Sequence, residues 1–262
     1  MMRIALYQMQ ARAGDRAGNL ARIDATANKA TAMGCDLIVA PELAIPGYGA
    51  GEAFATLATP ADGDDVKAIE DIARRHGIAV AAGFAEREGM RVFNSAALVD
   101  GRGLRRVYRK SHLYGDYERR HFTPAQPATV TAKIGGVRLG LLICYDVEFP
   151  ENVRRLALAG VRLAVVPTAL PASAHAAFIA RSMIPVRAFE NQIFVAYADH
   201  CGHDGAFSYA GLSIVAAPDG AALAEGGHDG EALAVADIVP AAYKASAAEN
   251  SYLADLEQEN RK

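Results

Sequence analysis

Three ionisable residues of complementary chemistry, Glu42, Lys110 and Cys144, each follow an apolar or strand-like run of the chain. Thiolate is the nucleophilic form of cysteine, and a neighbouring carboxylate can take the thiol proton. An ammonium group can stabilise both the thiolate and the oxyanion that forms when a carbonyl carbon is attacked. The carboxyl group can then protonate a departing amine and later activate water against the thioester. Brought into one pocket, these residues predict amide hydrolysis through a covalent acyl-enzyme.

The residues that follow Cys144 predict a sharp turn between a strand and a helix. The apolar run "GLLI" precedes the cysteine, Pro150 suits the first helical turn, and Gly160 suits the end of the helix. Turns of this kind direct a side chain and free backbone N–H groups toward a ligand. We therefore expect an accessible sulfur, with the N–H of Tyr145 or Asp146 as an oxyanion donor.

Each of these residues also has an ordinary structural interpretation when it is taken alone. Free cysteine is among the most buried residue types, so a cysteine at the end of a strand is often part of the core. A single Glu or Lys at a strand end is usually solvated or forms a local ion pair. The positions in the sequence therefore leave open whether the three side chains meet.

The hydrophobic pattern predicts an α/β architecture that can bring such strand ends together. Two successive sets of strands and helices, joined by short turns, favour sheets covered by helices over separate domains. In open α/β folds, sites form where loops converge beyond the carboxyl ends of strands. The predicted strands are "RIALYQM", "CDLIVAPE", "GIAVAAGFAE", "RVFNSAALV", "LRRVYRK", "VRLGLLIC", "VRLAVVP", "QIFVAYA", "GLSIVAAPDG" and "ALAVADI", and the predicted helices cover residues 18–34, 66–75, 150–159 and 174–189.

Composition and charge exclude several classes of partner and location. The 262 residues carry 27 basic and 30 acidic side chains, mixed along the chain, for a net charge of -3. This balance predicts neither a nucleic-acid-binding surface nor attachment to a membrane. The start of the chain lacks the apolar segment of a secretory signal, and three scattered cysteines do not form a disulfide framework. We expect a cytoplasmic protein in which Cys35 is a core thiol.

Two segments of the sequence were considered as cofactor sites, one for zinc and one for a dinucleotide, and neither has the pattern that such a site needs. The segment "DHCGHDG", residues 199–205, gathers His and Cys side chains, yet the chain has no second ligand pair at zinc-finger spacing. The first strand is followed by "QMQARAGD" rather than by the G-x-G-x-x-G turn of a dinucleotide-binding fold. His112 can be imagined as a base for Cys144, but packing or hydrogen bonding is the simpler role. We expect no metal and no cofactor.

Three sequence blocks resemble the nitrilase superfamily of carbon-nitrogen hydrolases, and especially its amidase branch. They are "LIVAPELAIPGY" around Glu42, "YRKSHLYGDYERRHFTPA" around Lys110 and "GLLICYDVEFPENVR" around Cys144, in the order that the family has them. The resemblance also covers "FNSAALV", "RAFENQIFVAYAD" and "GLSIVAAPDG", so it extends over nearly the whole chain.

The resemblance implies a fold and a role for each residue of the three blocks. It implies a four-layer α-β-β-α sandwich with Glu42 as general base, Lys110 as oxyanion stabiliser and Cys144 as nucleophile. Glu118 would be a second glutamate that orients the lysine. A single hydrolase domain over residues 1–262 is expected, assembled as a homodimer or larger homo-oligomer, with residues 250–262 as a C-terminal tail that packs on a neighbouring subunit.

The acyl pocket is where this chain departs from the family pattern. After the strand that ends near Val166 the chain reads "PTALP", and Leu170 stands where many relatives have an aromatic residue. Asp199, at the expected rim, stands where Asn is common in relatives. The substrate-binding residues that we expect are Tyr48, Tyr145, Thr168, Ala169 and Leu170.

The leading functional hypothesis is an amidase that hydrolyses a small carboxylic amide to the acid and ammonia. Hydrolysis of a nitrile or of an N-carbamoyl compound needs the same three roles and remains an alternative. A different class of protein, a non-catalytic binding or regulatory subunit, also remains open. The partner expected in each catalytic case is a small molecule.

Overall fold

The protein folds into two six-stranded sheets that face each other, and helices cover both outer faces. A computed structural model describes residues 1–259. The strands are β1 (Met2–Gln8), β2 (Leu37–Val39), β3 (Ala79–Glu88), β4 (Arg91–Val99), β5 (Arg105–Arg109), β6 (Thr131–Ile134), β7 (Val137–Leu141), β8 (Leu163–Pro167), β9 (Phe194–Ala198), β10 (Ile214–Ala216), β11 (Ala222–Glu225) and β12 (Ala232–Ile238). The α-helices are α1 (Arg16–Ala32), α2 (Phe54–Leu57), α3 (Asp64–His76), α4 (Gly115–His121), α5 (Pro150–Leu158), α6 (Ala176–Phe178), α7 (Ile184–Asn191), α8 (Lys244–Glu249) and α9 (Tyr252–Glu259).

The first sheet has the order β12-β1-β2-β3-β4-β5, and the second has the order β11-β10-β9-β8-β7-β6. Helices α1 and α3 pack on the first sheet, and α5 and α7 pack on the second. Strands β1, β2 and β3 face β8 and β9 across the interior. The sandwich predicted from the family resemblance is therefore confirmed.

Local sequence signals account for the principal helices. Asp15 accepts a hydrogen bond from the N–H of Gly18 at the start of α1. Helix α3 has acidic residues in its first turn and basic residues in its last, and it ends at Gly77 with a φ of 66°. Pro150 occupies the first turn of α5, as its fixed φ favours.

The structure differs from the predicted elements in three places. The segment "ALAVADI" was predicted to belong to the second set of elements, but β12 pairs antiparallel with β1 in the first sheet. The predicted helix over residues 174–189 extends instead from Ala176 to Asn191, and a π-helical turn, Ile179–Met183, joins α6 to α7. The unpredicted elements are strands β6 and β11 and helices α2, α4 and α8, which are short and carry little periodic apolar pattern.

The C-terminal tail is described only as far as residue 259. Helix α9 lies against α7 of the same chain, and the Tyr252 ring meets Phe189 edge-on at 6.0 Å. Residues 260–262 of the predicted tail lie outside the described residues. Among the residues described, the helices are too short or too polar to span a bilayer.

Candidate active site

Glu42 lies in a tight turn just beyond the carboxyl end of β2. The next residue, Leu43, has a φ of 48°, and the N–H of Glu42 donates to the carbonyl of Thr168 in the facing sheet at 3.3 Å. Strand β3 passes so close that a Cβ on Gly83 would lie 2.1 Å from the Leu43 nitrogen. The turn is therefore fixed by its own backbone conformation, by the neighbouring strand and by the second sheet.

Lys110 follows β5, and its ammonium group lies between two glutamates. Its Nζ donates to Oε1 of Glu42 at 2.6 Å and to Oε1 of Glu118 at 2.7 Å. The side chains of all three residues are fully buried. Loss of one partner of a buried ion pair typically costs about 3–5 kcal/mol, because the remaining charge is left uncompensated. The three groups therefore form one interdependent unit.

Glu118 is held in place by two further donors besides the lysine. The hydroxyl of Tyr48 donates to its Oε1 at 2.8 Å, and the N–H of Tyr114 donates to its Oε2 at 2.8 Å. The short helix α4 brings Glu118 back toward Lys110, eight residues earlier in the chain. Tyr48, a predicted substrate-binding residue, thus directs its hydroxyl at Glu118.

Cys144 begins a 3₁₀ turn, Cys144–Glu148, that connects β7 to α5. Its φ of 44° is uncommon for a residue with a side chain and marks a constrained turn of the kind that the sequence predicts. Cys144 is only 6% exposed, so the sulfur is less accessible than the sequence predicts, and this burial raises the pKa of its thiol. The charges of Glu42, Lys110 and Glu118 also shift this pKa, so the sulfur lies within their electrostatic reach.

The sequence of the whole chain and its fold both match those of known hydrolases. The family model described as carbon-nitrogen hydrolase matches residues 3–248. The chain belongs to the carbon-nitrogen hydrolase family. A protein described as a hydrolase in the pqqF 5' region of Pseudomonas protegens is 43% identical over 98% of this chain and 90% of its own length. The membership predicted from the three sequence blocks is confirmed.

Two characterised relatives are amidases. An (R)-stereoselective amidase from Pseudomonas sp. is 37% identical over 97% of this chain and 91% of its own length. A mutant of the amidase from Nesterenkonia sp. AN1 superposes with a TM-score of 0.87 and 36% identity, over 99% of this chain and 95% of that one. In that structure the acetamide moiety of fluoroacetamide is covalently attached to the active-site cysteine.

The protonation states in this hydrolase follow from burial and from the neighbouring charges. Burial raises the pKa of Glu42 to about 7, against the opposing effects of the Lys110 ammonium and the Asn94 amide. Burial alone lowers the pKa of Lys110, but the Glu118 and Glu42 carboxylates outweigh it and raise that pKa well above its ordinary value. Burial and the charge of Glu42 raise the pKa of the Cys144 thiol. The arrangement therefore holds a neutral thiol, a permanent ammonium and a carboxyl group that titrates near neutral pH.

One carboxyl oxygen of Glu42 remains available as a proton acceptor. Its Oε1 accepts hydrogen bonds from Lys110 and from the Asn94 amide, the latter at 2.6 Å, whereas Oε2 is buried without a hydrogen-bond partner in residues 1–259. Buried acceptors are usually satisfied, so an unsatisfied one in a pocket is a candidate for contact with a substrate or a proton.

Only one of the two predicted backbone oxyanion donors is available. The N–H of Asp146 donates to the carbonyl of Ile143 at 3.0 Å and closes the turn, so of the two alternatives only the N–H of Tyr145 is left. No protein acceptor within the described chain is found for the N–H of Tyr145. The Asp146 side chain instead accepts hydrogen bonds from Tyr108, Ser111 and His112, which anchors the turn. His112 therefore contacts the base of the turn and stacks on Phe149, with ring centroids 3.9 Å apart.

The predicted acyl-pocket segment, Thr168–Leu170, is buried beside the turn that carries Glu42. The Leu170 N–H donates to Oδ1 of Asp199 at 2.7 Å, and Asp199 is fully buried beneath this segment rather than at a rim. Tyr145 is half-buried, with its ring 5.3 Å from that of Tyr114.

Two residues at the site, Asn94 and His200, have no role predicted by the sequence. Asn94 lies within "FNSAALV", and the only local signal for it is that a lone amide in a buried strand needs a hydrogen-bond partner. His200 lies in "DHCGHDG", which the sequence analysis weighs only as a metal site, but its ring is buried, with Nε2 2.7 Å from the Glu42 carbonyl and Nδ1 3.2 Å from the Met9 carbonyl. Neither contact leaves a local sequence signal, because the partners are distant in the chain. Within the described chain, no three His, Cys, Asp or Glu side chains come together in a way that could hold a metal ion.

Proposed function

We propose that this carbon-nitrogen hydrolase is an amidase that converts a small carboxylic amide into the acid and ammonia. The observation that carries the proposal is the buried Glu42–Lys110–Glu118 unit, within electrostatic reach of a cysteine in a constrained turn. Amidases among the relatives, one of them with an adduct at its active-site cysteine, support the same conclusion.

In the proposed first half-reaction, the Cys144 sulfur attacks the amide carbon while its proton passes to Glu42. The new carbon–sulfur bond leaves a negative charge on the former carbonyl oxygen, which Lys110 Nζ and the Tyr145 N–H stabilise. The carbon–nitrogen bond then breaks, and Glu42 returns the proton to the departing amine. Ammonia leaves, and the acyl group remains as a thioester on Cys144.

In the second half-reaction, Glu42 takes a proton from water as the water oxygen attacks the thioester carbon. The tetrahedral intermediate is stabilised as before, and its collapse breaks the carbon–sulfur bond. The thiolate recovers its proton, and the carboxylic acid is released. Glu118 does not react in this scheme; it fixes the Lys110 ammonium and helps to keep it charged.

The burial of the triad favours a small substrate. Glu42 and Lys110 are 0% and 1% exposed, and Cys144 is 6% exposed, so little of the reactive side chains can be reached from the surface. The proposed lining of the acyl pocket remains Tyr48, Tyr145, Thr168, Ala169 and Leu170. The aliphatic Leu170 would leave more room than an aromatic ring at the same position.

A matched panel of substrates tests the proposed activity. Butyramide, butyronitrile and N-carbamoyl-β-alanine are each incubated with the protein, and ammonia, acid and carbon dioxide are measured. An amidase releases ammonia and butyrate from the amide. If only the carbamoyl compound is hydrolysed, to carbon dioxide and ammonia, or only the nitrile, to the acid, the amidase assignment is rejected in favour of that chemistry. If none of the three compounds is hydrolysed, a non-catalytic subunit is favoured.

We further propose that the chain acts as a single hydrolase domain in a cytoplasmic homodimer or larger homo-oligomer. Three free, buried cysteines fit a reducing compartment. The outer helical layer of the second sheet exposes three large apolar side chains, which favours an interface on this face. They are those of Leu158, Phe178 and Val186, which are 47%, 60% and 50% exposed. Light scattering coupled to gel filtration tests the assembly, and a monomer at micromolar concentration would contradict it.

A further inference from the structure

His200 contacts the backbone of the turn that carries Glu42, and the reaction described above does not use it. The residue lies shortly after β9 in the second sheet and is 1% exposed. Its Nε2 lies 2.7 Å from the carbonyl of Glu42, and its Nδ1 lies 3.2 Å from the carbonyl of Met9, directly after β1 in the first sheet. One buried imidazole therefore connects the turn of the general base to strand ends in both sheets.

Two carbonyl oxygens thus face a ring that can donate to only one of them. Burial lowers the pKa of His200, and the two carbonyls oppose this effect without cancelling it, so the ring is neutral at neutral pH. A neutral imidazole carries its hydrogen on one nitrogen, and the other nitrogen is an acceptor. The other partners of the two carbonyls decide which nitrogen carries the hydrogen.

These partners place the hydrogen on Nε2. The Met9 carbonyl already accepts a hydrogen bond from the N–H of Cys201 at 3.0 Å. The Glu42 carbonyl has no donor other than the His200 ring among residues 1–259. Because a buried carbonyl without a donor is rare and unfavourable, the hydrogen belongs on the nitrogen that faces Glu42. The Nε2 contact is also the shorter of the two.

The peptide group that this hydrogen bond holds lies at a constrained point of the turn. It joins Glu42 to Leu43, whose φ of 48° is uncommon for a residue with a side chain and persists only where the surrounding structure enforces it. Rotation of this peptide group would move the Glu42 backbone and its carboxyl group with it. Oε1 of Glu42 has to reach the Lys110 ammonium and the Asn94 amide, each at 2.6 Å. The position of the general base therefore depends on the backbone that His200 holds.

The His200 side chain is itself held in place by its neighbours. The Tyr209 ring packs against it, with ring centroids 4.9 Å apart, and the Tyr209 hydroxyl donates to Asp204. The His200 backbone forms a bridge with Met9, and its carbonyl accepts from the N–H of Gly211 at 3.1 Å. A side chain fixed in this way is suited to hold another group in position.

We propose that His200 is a positioning residue for the general base, and that its Nε2–H holds the Glu42 peptide group so that the carboxyl group stays where Lys110 and Asn94 donate to it. His200 takes no part in proton transfer in this scheme. The inference rests on the proposed amidase function and adds to it a residue that acts only through the Glu42 backbone.

The tautomer of His200 is measured directly on the unaltered protein. In protein with ¹⁵N-labelled histidine, the ring nitrogen signals distinguish a nitrogen that carries hydrogen from one that does not, and the His200 signals are those lost in His200→Gln. We expect hydrogen on Nε2 and none on Nδ1 at neutral pH. Hydrogen on Nδ1 alone would overturn the proposal.

His200→Gln and His200→Asn separate the two ring nitrogens in function. The Gln side chain places an amide N–H near the position of Nε2, and the shorter Asn side chain places one near that of Nδ1. With butyramide as substrate, we expect kcat of His200→Gln to stay close to that of the unaltered protein. In His200→Asn, kcat should fall about tenfold to a hundredfold while KM changes little, because the general base is displaced.

The pH profile distinguishes positioning from a general loss of stability. A displaced Glu42 loses the contacts with Lys110 and Asn94 that lower its pKa. The acidic limb of kcat/KM should therefore move to higher pH in His200→Asn and stay in place in His200→Gln. His203→Asn is the matched control, because His203 is an exposed histidine in the same segment, and it should keep both kcat and the acidic limb. Thermal unfolding shows whether each variant is folded.

The outcomes separate this inference from the amidase assignment. If folded His200→Asn keeps the kcat and the acidic limb of the unaltered protein, or if the Gln and Asn variants lose activity equally, His200 does not position Glu42 and the inference is overturned. If the unaltered protein hydrolyses no amide, the proposed function itself fails, whereas the hydrogen bond to Glu42 is still decided by the ring nitrogen signals.

Discussion

At the scale of single residues, the activity depends on the proton affinity of Glu42. Burial raises its pKa to about 7, while Lys110 and the amide of Asn94 lower it. Glu42 can accept the thiol proton only when it is ionised, so activity should be lost as the pH falls through this value. The raised pKa also suits the return of the proton to ammonia at neutral pH.

Asn94→Ala should raise the pKa of Glu42 further, because the hydrogen bond from the amide to Oε1 stabilises the ionised form. The acidic limb of the kcat/KM profile should therefore move to higher pH, by about one unit for the loss of one hydrogen bond to a charged group. The profile of rate against pH is the measurement.

Ser95→Ala is the control for this prediction. Ser95 is the next residue of β4 and also donates to a buried carboxylate, at 2.6 Å, but to that of Glu86 outside the site. The acidic limb of the kcat/KM profile of Ser95→Ala should stay at the same pH as in the unaltered protein. An unchanged limb in Asn94→Ala would show that Glu42 is not the group that titrates.

At the scale of secondary structure elements, the site depends on how closely β3 passes the turn that carries Glu42. A methyl group at Gly83 would lie 2.1 Å from the Leu43 nitrogen and 2.7 Å from the Glu42 Cα. Such a contact forces a backbone shift. The turn cannot move freely, because Leu43 has a left-handed backbone and His200 contacts the Glu42 carbonyl.

Gly83→Ala should therefore lower both stability and activity. We expect the free energy of unfolding to fall by about 1–3 kcal/mol and kcat to fall more than KM changes, since the general base is displaced. Denaturant unfolding and steady-state kinetics measure these effects. Gly227→Ala is the control, because a methyl group at the exposed Gly227 meets nothing within 4 Å; equal losses in both variants would contradict the account.

The elements were predictable from sequence where they are long and periodic. Strands β1, β3 and β4 and helix α3 follow from apolar periodicity, and the order strand, turn, helix around Cys144 follows from Pro150 and Gly160. Local patterns do not predict strands β6 and β11 or helices α2, α4 and α8, because such short elements carry too few periodic positions. The pairing of β12 with β1 depends on contacts between the two ends of the chain, which no local pattern encodes.

The candidate site was predictable only in part, for a related reason. The sequence identifies Glu42, Lys110 and Cys144 because each is an ionisable residue directly after an apolar run. The family resemblance adds Glu118. The catalytic roles of all four residues stay predictions. Asn94 and His200 have roles only through distant partners. The use of the Asp146 N–H inside the turn likewise depends on the turn geometry and not on residue type.

At the scale of the whole molecule, the fold buries carboxyl groups at the expense of stability at high pH. Burial raises the pKa of Asp199 well above its ordinary value, and its Oδ2 has no hydrogen-bond partner in the described part of the chain. The folded chain then keeps a proton that the unfolded chain loses above about pH 4. The free energy of unfolding should therefore fall as the pH rises from there toward the folded pKa.

Asp199→Asn should reduce this loss of stability, because an amide stays neutral at every pH and its Oδ1 can still accept from Leu170. One such group contributes a slope of about 1.4 kcal/mol per pH unit within its window. Urea unfolding at several pH values from 4 to 8 measures the slope. Asp229→Asn, at an exposed turn, should leave it unchanged; the same slope in Asp199→Asn as in the unaltered protein would contradict the burial of a protonated carboxyl group.

In the proposed reaction, amide hydrolysis passes through an acyl group on Cys144. The most direct test is the rate of ammonia release from a small amide by Cys144→Ala, compared with Cys35→Ala and Cys201→Ala, which remove the other two buried thiols. We predict that the rate falls about a thousandfold or more in Cys144→Ala and that the other two variants stay active, since removal of the nucleophile eliminates the covalent route. Turnover by folded Cys144→Ala at a rate near that of the unaltered protein would contradict it.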